Sequence, residues 1–299
     1  MTSWKPDPAH EPLLASSPSA STPFLLELAR RQAARRGPRE LALQYARDAF
    51  VAPSAVDLRT LHALDGLALA AAPQFEARLL SPVAPLGTCS SLAPTSQDRT
   101  LSAARGLEVV SDPTNALALE CARRIAQGEE SVRLATLHQV LRAQALPPKP
   151  GFSRHFRLFA LAEAGPARAE DGFEVDAIAR HVAVMDRVFD ASAALGCRVP
   201  ERRATLFHDE RRAVAAQRVC ARLARELPHV GLTRERFDSA YYDGLRVLFG
   251  GTSAAGEHVP LADTGVFDWI ARLTSNARLR FVASGLGIQL LPLLFRPAA

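Results

Sequence analysis

The stretch Ser131–Gly165, SVRLATLHQVLRAQALPPKPGFSRHFRLFALAEAG, decides the fold. Val132, Leu134, Ala135, Leu137, Val140 and Leu141 form one apolar run, and Phe156, Leu158, Ala160 and Ala162 alternate on the return. Period-two alternation is the mark of a half-buried strand, so the stretch predicts two strands. Pro147, Pro148, Pro150 and Gly151 forbid helix and remove ladder donors, which opens the hairpin into a long loop. Arg142 ends the first strand, and Arg154, His155 and Phe156 begin the second. A cation and an aromatic ring then face each other across the loop mouth, as a phosphate and a stacked purine require. An ordinary basic β-hairpin carries the same pattern.

The arrangement resembles motif 2 of the class II aminoacyl-tRNA synthetases, most closely the histidyl branch. There a strand ends in Phe-Arg-x-Glu and the next begins with Arg-x-Phe. Leu141-Arg142-Ala143-Gln144 and Arg154-His155-Phe156 are the counterparts. The resemblance implies that Arg142 holds an α-phosphate, that Phe156 stacks on adenine, and that Arg154 belongs to the same nucleotide-binding set.

Outward from the hairpin, Glu108–Thr114 predicts a short strand and a turn, with a helix from Asn115 to Ile125 capped by Thr114 or Asn115. The histidyl family has Arg-Pro-Glu-x-Thr here, holding the substrate's α-amino group; Asp112-Pro113-Thr114 is similar, with a shorter acid. The plainer alternative is that Asp112 and Thr114 only cap the helix. Phe75–Pro82 predicts a strand ending in proline and is similar to motif 1, which implies a homodimer interface along Leu79, Leu80 and Pro82. Phe237–Phe249 resembles the Arg-Gly-Leu-Asp-Tyr-Tyr motif, which adds Tyr242 to the amino-acid-binding set. Leu261–Asp268 resembles the Gly-Gly-Arg-Tyr-Asp turn. Leu279–Leu291 resembles motif 3, a strand followed by a glycine-bearing helix start. These motifs, taken in their order along the chain, imply an α+β fold, an antiparallel sheet flanked by helices.

The remainder of the chain constrains the class. Its 299 residues, 48% hydrophobic and 22% charged, suffice for a sizeable globular core. The net charge of +5 is scattered over helical faces, which permits a nucleotide or nucleic-acid partner without arguing for one, and no nucleic-acid partner is expected. Cys89, Cys121, Cys197 and Cys220 lie far apart without metal-ligand spacing, so no metal site is expected and the thiols are expected reduced and buried, in a cytoplasmic protein. No apolar run reaches the ~20 residues of a membrane span. Residues 1–22 are expected to be a disordered tail, with a helix starting at Thr22-Pro23, a second over Arg39–Phe50 and a third over Asp57–Ala72. Pro85–Asp98 is expected as a polar loop. Helices are predicted over Phe173–Leu195, with His181 on the surface or in a second layer, and over Asp209–Leu227. Residues 23–299 are expected to be one catalytic-core domain without an anticodon-binding domain.

Departures from the family pattern bear on function. The motif arginine beside the paired tyrosines falls on Phe237, and the motif 3 arginine falls on Leu290. The side chains that read histidine fall on Leu158 and Ala162, and the tyrosine of the glycine-rich turn on Phe267. Arg246, Arg278 or Arg280 are the candidates to replace a lost cation. The resemblance then implies a non-catalytic histidyl-tRNA synthetase paralogue, of the kind of the regulatory subunit of ATP phosphoribosyltransferase in histidine biosynthesis. Its implied partners are a second copy, the phosphoribosyltransferase catalytic subunit and a small-molecule ligand. ATP or another nucleotide, with magnesium, is the open cofactor. The alternative is an enzyme that activates a non-histidine amino acid for a carrier or small product.

Overall fold

The structure is a computed structural model that describes residues 7–143 and 153–296. The prolines of the hairpin loop, Gly151 and Gln144 lie outside the described residues.

Helices α1 (Glu11–Leu14), α2 (Pro18–Ala34) and α3 (Pro38–Arg47) come first. The expected irregular tail is thus helical from Pro8 onward, and α2 starts four residues before Thr22. Ser17 is its cap, accepting from Ala20 N–H, and Pro18 takes the first position. None of these helices buries a residue. Helix α4 (Leu58–Ala71) is capped by Asp57, which accepts from Thr60 N–H, and turns Leu61, Leu64, Ala68 and Ala71 into the core.

Strand β1 (Glu76–Ala77) is all that forms of the expected strand over Phe75–Pro82. The expected polar loop holds β2 (Val83–Pro85), the short helix α5 (Thr88–Leu92) and a 3-10 turn over Gln97–Arg99. Strands β3 (Ser102–Ala103) and β4 (Leu107–Val109) join β2 in a small sheet ordered β2-β4-β3. Helix α6 (Pro113–Ala126) begins two residues earlier than expected, because Asp112 rather than Thr114 or Asn115 is its cap.

The hairpin is β5 (Val132–Leu141) and β6 (His155–Pro166), antiparallel from Val132↔Ala164 to Leu141↔His155. Strand β6 is not half-buried: Phe159 and Leu161 pack under helix α7 (Gly172–Ser192) while Ala160, Ala162 and Ala164 lie on the α6 side. Strand β7 (Arg203–His208), helix α8 (Ala213–Glu226) and strand β8 (Gly231–Arg236) follow; the two strands have no counterpart in the sequence pattern. Strands β9 (Leu245–Thr252) and β10 (His258–Phe267), helix α9 (Trp269–Thr274), strand β11 (Leu279–Leu286) and helix α10 (Leu290–Leu294) complete the chain.

The main sheet runs β1-β5-β6-β11-β10-β9-β7-β8. Its interior is antiparallel, and only the two edge pairs, β1 with β5 and β7 with β8, are parallel. One face carries α4, α7 and α8; the other carries α6, α9 and the aromatic residues of the site. His181 is fully buried at 0% exposure, not on the surface, and bonds Ser284 Oγ between α7 and β11. All four cysteines are free, Cys220 half-buried and the others buried.

Candidate functional site

A cavity of about 540 Å³ opens on the α6 side of the sheet, where β5, β6 and β11 meet the start of α6. Arg142 stands at the end of β5. Its backbone N–H donates to Arg154 C=O at 2.8 Å and its Nε donates to Ser111 C=O at 2.8 Å. These bonds aim the guanidinium at Asp112, 3.6 Å away, and lay it over the Phe156 ring at 5.1 Å. Both are favourable for a half-buried cation.

Asp112 caps α6 and faces the cavity at once. Its Oδ1 accepts from Thr114 N–H (3.0 Å) and Thr114 Oγ1 (2.7 Å), while Oδ2 lies 3.5 Å from the Tyr241 hydroxyl. Tyr242 donates its hydroxyl to Asp263 Oδ2 at 2.8 Å, and Arg246 grips the same carboxylate through both Nε and a terminal nitrogen. Burial, with Asp112 near one phenol and Asp263 near the other, pushes both tyrosines well above their ordinary range. They remain protonated donors at any working pH. Phe267, stacked on Trp269 at 4.0 Å, and Leu158, Leu261 and Ala283 make the wall apolar.

Arg142, Asp112, Thr114 and Tyr242 thus share one cavity. Phe156 and Arg154 do not line it. Phe156 lies behind Arg142 against Ala84, Val110, Val140 and Leu158, and Arg154 stacks on Phe50 at 4.9 Å. Of the positions where family residues are missing, Leu158 and Phe267 are on the wall. Ala162 is buried against α6, Phe237 packs against Phe207 and Tyr242, and Leu290 packs into the core beside Gly287. Arg280 pairs with Glu174 at 3.1 Å, five residues along β11 from Gly285, roughly 17 Å at strand rise. Arg246 reaches the cavity only through Asp263.

Two wall residues escaped the sequence. Arg99 ends the 3-10 turn, and its side chain makes no hydrogen bond or ion pair among the described residues. Asn115 is 2% exposed and its Nδ2 has no partner among the described residues. Asp-Pro is a cap followed by a first-turn proline, and that signal would have moved the helix start to Pro113 and Asn115 inward. The cavity therefore combines two cations, two carboxylates already bound by neighbours, two phenol donors and an apolar wall. It suits a small ligand with an anionic end. Among the described residues no group of three His, Cys, Asp or Glu is placed to hold a metal ion, and no helix is long and apolar enough to cross a membrane.

No family model matches the chain, and no curated protein does. Solved structures do. An ATP phosphoribosyltransferase regulatory subunit/histidyl-tRNA synthetase from Bacillus halodurans superposes with a TM-score of 0.61 at 14% identity, over 81% of each chain. Histidyl-tRNA synthetase from S. aureus gives 0.61 at 12% identity, over 82% of this chain and 68% of that one. A histidine–tRNA ligase subunit from Alicyclobacillus acidocaldarius gives 0.58 at 13% identity, over 80% and 94%. Likeness at such identity speaks for architecture alone, and on that ground the chain has the class II aminoacyl-tRNA synthetase-like fold, with histidyl-type structures among its neighbours.

Proposed function

We propose that the chain is a non-catalytic histidyl-tRNA synthetase paralogue that acts as a regulatory subunit of the ATP phosphoribosyltransferase type, with a small ligand in the Arg142–Asp112 cavity. One observation carries it: the cavity wall is apolar at Leu158 and Phe267, where a histidine-reading site needs polar partners. An imidazole buried there loses about 1–3 kcal/mol for each polar group left unpaired. Phe237 and Leu290 remove two more cations, and both pack away from the cavity. Adenylate formation depends on positioning and on neutralising phosphate charge, with a single donor of that kind worth ~3 kcal/mol. Arg142 and Arg99 can hold an anion without supplying that full set.

Pyrophosphate exchange measured over all amino acids tests it. The expected result is no exchange with histidine, together with a changed rate of a short-form ATP phosphoribosyltransferase catalytic subunit on adding the chain. Exchange with histidine, or no effect on that subunit, overturns the proposal. Exchange with an apolar amino acid would establish the second assignment, ATP-dependent activation of a non-histidine substrate, which Leu158, Leu261, Phe267 and Ala283 on the wall favour.

A further inference from the structure

A second cavity, of about 270 Å³, lies on the α7 side of the sheet, between the start of β5, the end of β6 and the first turns of α7. Glu163 on β6 points into it with a side chain only 4% exposed. Arg133 from β5 donates Nε to one carboxylate oxygen at 3.0 Å, and Arg180 from α7 donates Nε to the other at 2.7 Å. Among the described residues the terminal nitrogens of both guanidinium groups make no further hydrogen bond. Arg168 and Glu130 line the rim, and Arg168 is held by Asp176 at 2.9 Å. Phe173 and Pro166 supply an apolar wall.

The chemistry of this cluster is unusual for mere packing. A buried carboxylate with two arginines carries a desolvation cost, and well-packed apolar side chains of similar volume generally stabilise as well or better. Leu161, next along the same face of β6, shows that apolar side chains fit under α7. The carboxylate also faces His181 Nε2 at 3.5 Å, and it holds one guanidinium group on each of its two oxygens. Each uses its Nε inward and leaves its paired terminal nitrogens for an outer partner. Guanidinium forks of this kind match the planar oxygens of a carboxylate or phosphate. Arg168 is taken by Asp176, so the donors left for an anion are those of Arg133 and Arg180.

We infer that the Arg133–Glu163–Arg180 fork is a second binding site, for a small organic oxyanion. Its carboxylate or phosphate sits on the terminal nitrogens of Arg133 and Arg180, and its apolar body lies along Phe173. Glu163 is a positioning residue that holds each of the two cations by its Nε. The site lies across the sheet from the Arg142 cavity and does not depend on the function proposed for that cavity.

Isothermal titration of the full chain at constant ionic strength, with phenyl phosphate and phenylacetate as probes, tests it. At least one probe is expected to bind saturably, with affinity falling tenfold or more in Arg133→Gln and Arg180→Gln and unchanged in Arg123→Gln, an exposed arginine paired with Glu120 outside both cavities. The tighter probe identifies phosphate or carboxylate as the natural group. Arg133→Lys and Arg180→Lys keep a cation on Glu163 and guard against loss of folding; they are expected to bind weakly too, because an ammonium has no fork. On the wild-type chain, a dicarbonyl that modifies arginine should be blocked at Arg133 and Arg180 by the probe, as mapped by mass spectrometry. No saturable binding of either probe, binding insensitive to both Arg→Gln substitutions, or protection of Arg142 instead would overturn the inference.

Discussion

Gly265 on β10 leaves room for the ring that closes the cavity. A Cβ at that position would stand within 2.6 Å of Tyr242 Cε1 and 3.1 Å of Phe267 Cζ. Gly265→Ala is therefore expected to expel Tyr242 from Asp263 and cost about 1–3 kcal/mol, the usual penalty of overpacking. Tyr242→Phe keeps the ring and removes one donor, for about 1 kcal/mol. Thermal unfolding of the two variants should separate them in that order. Glu163 predicts an acid limb. Burial raises its carboxyl, but His181 and Arg180 outweigh that and hold it down at about 2, against an ordinary 4.5. The folded value is depressed, so its contribution is full above 4.5 and disappears as the pH falls toward 2. On the order of 3 kcal/mol is at stake, at 1.36 kcal/mol per unit. Glu163→Gln should thus lower stability near neutrality and by little at the acid end, as read by denaturant unfolding across that range. At this scale Arg142, Asp112, Thr114 and Tyr242 were legible because a strand end, a cap and a tyrosine pair mark them. Arg99 was not, because its place on the wall depends on tertiary folding of a segment without periodicity.

The β9–β10 connection shows what an element's glycines are for. The stretch Gly250–Gly256 is glycine-rich, and β9 continues through Gly250 and Gly251. A Cβ at Gly250 would lie 2.8 Å from Pro260 Cα and closer still to the Val259 carbonyl oxygen, beside the register shift between Pro260 and Ala262. Gly250→Ala is expected to cost about 3 kcal/mol by pushing two backbones apart. At Gly256 φ is +80° and nothing lies within 4 Å, so Gly256→Ala should cost only about 1 kcal/mol of backbone strain. Equal losses in chemical denaturation would show that backbone approach is not what Gly250 provides. Strand β8 was invisible for another reason. GLTRER at β8 is an exposed edge strand, and charged edges suppress unwanted pairing while erasing the alternation that reveals a strand. Strand β6 misled in the opposite sense, since its alternation is between alanine and large apolar residues, both buried.

Across the whole molecule, the order of motifs was enough to imply the architecture, because all but the Glu108–Thr114 motif place a strand in one sheet. What order cannot convey is which edges are parallel, since that depends on how β1 and β8 return to the sheet. It also cannot say whether copies associate. Leu79, two residues after β1, is 95% exposed, and Leu80 beside it is half-buried. A lone leucine in water is ordinary, but one next to a strand that resembles a dimer interface motif is a candidate contact, and we propose a homodimer through it. In a two-fold contact each residue acts twice. Burying a leucine is worth about 1.5–3 kcal/mol, so Leu79→Ala should weaken association by about 3–6 kcal/mol at most, roughly two to four orders of magnitude in Kd. Leu79→Glu adds a charge that meets its own copy and should leave only monomer. Sedimentation equilibrium at micromolar concentration decides the matter: a wild-type chain that sediments as monomer, or a Leu79→Glu dimer as tight as wild type, removes Leu79 from any interface.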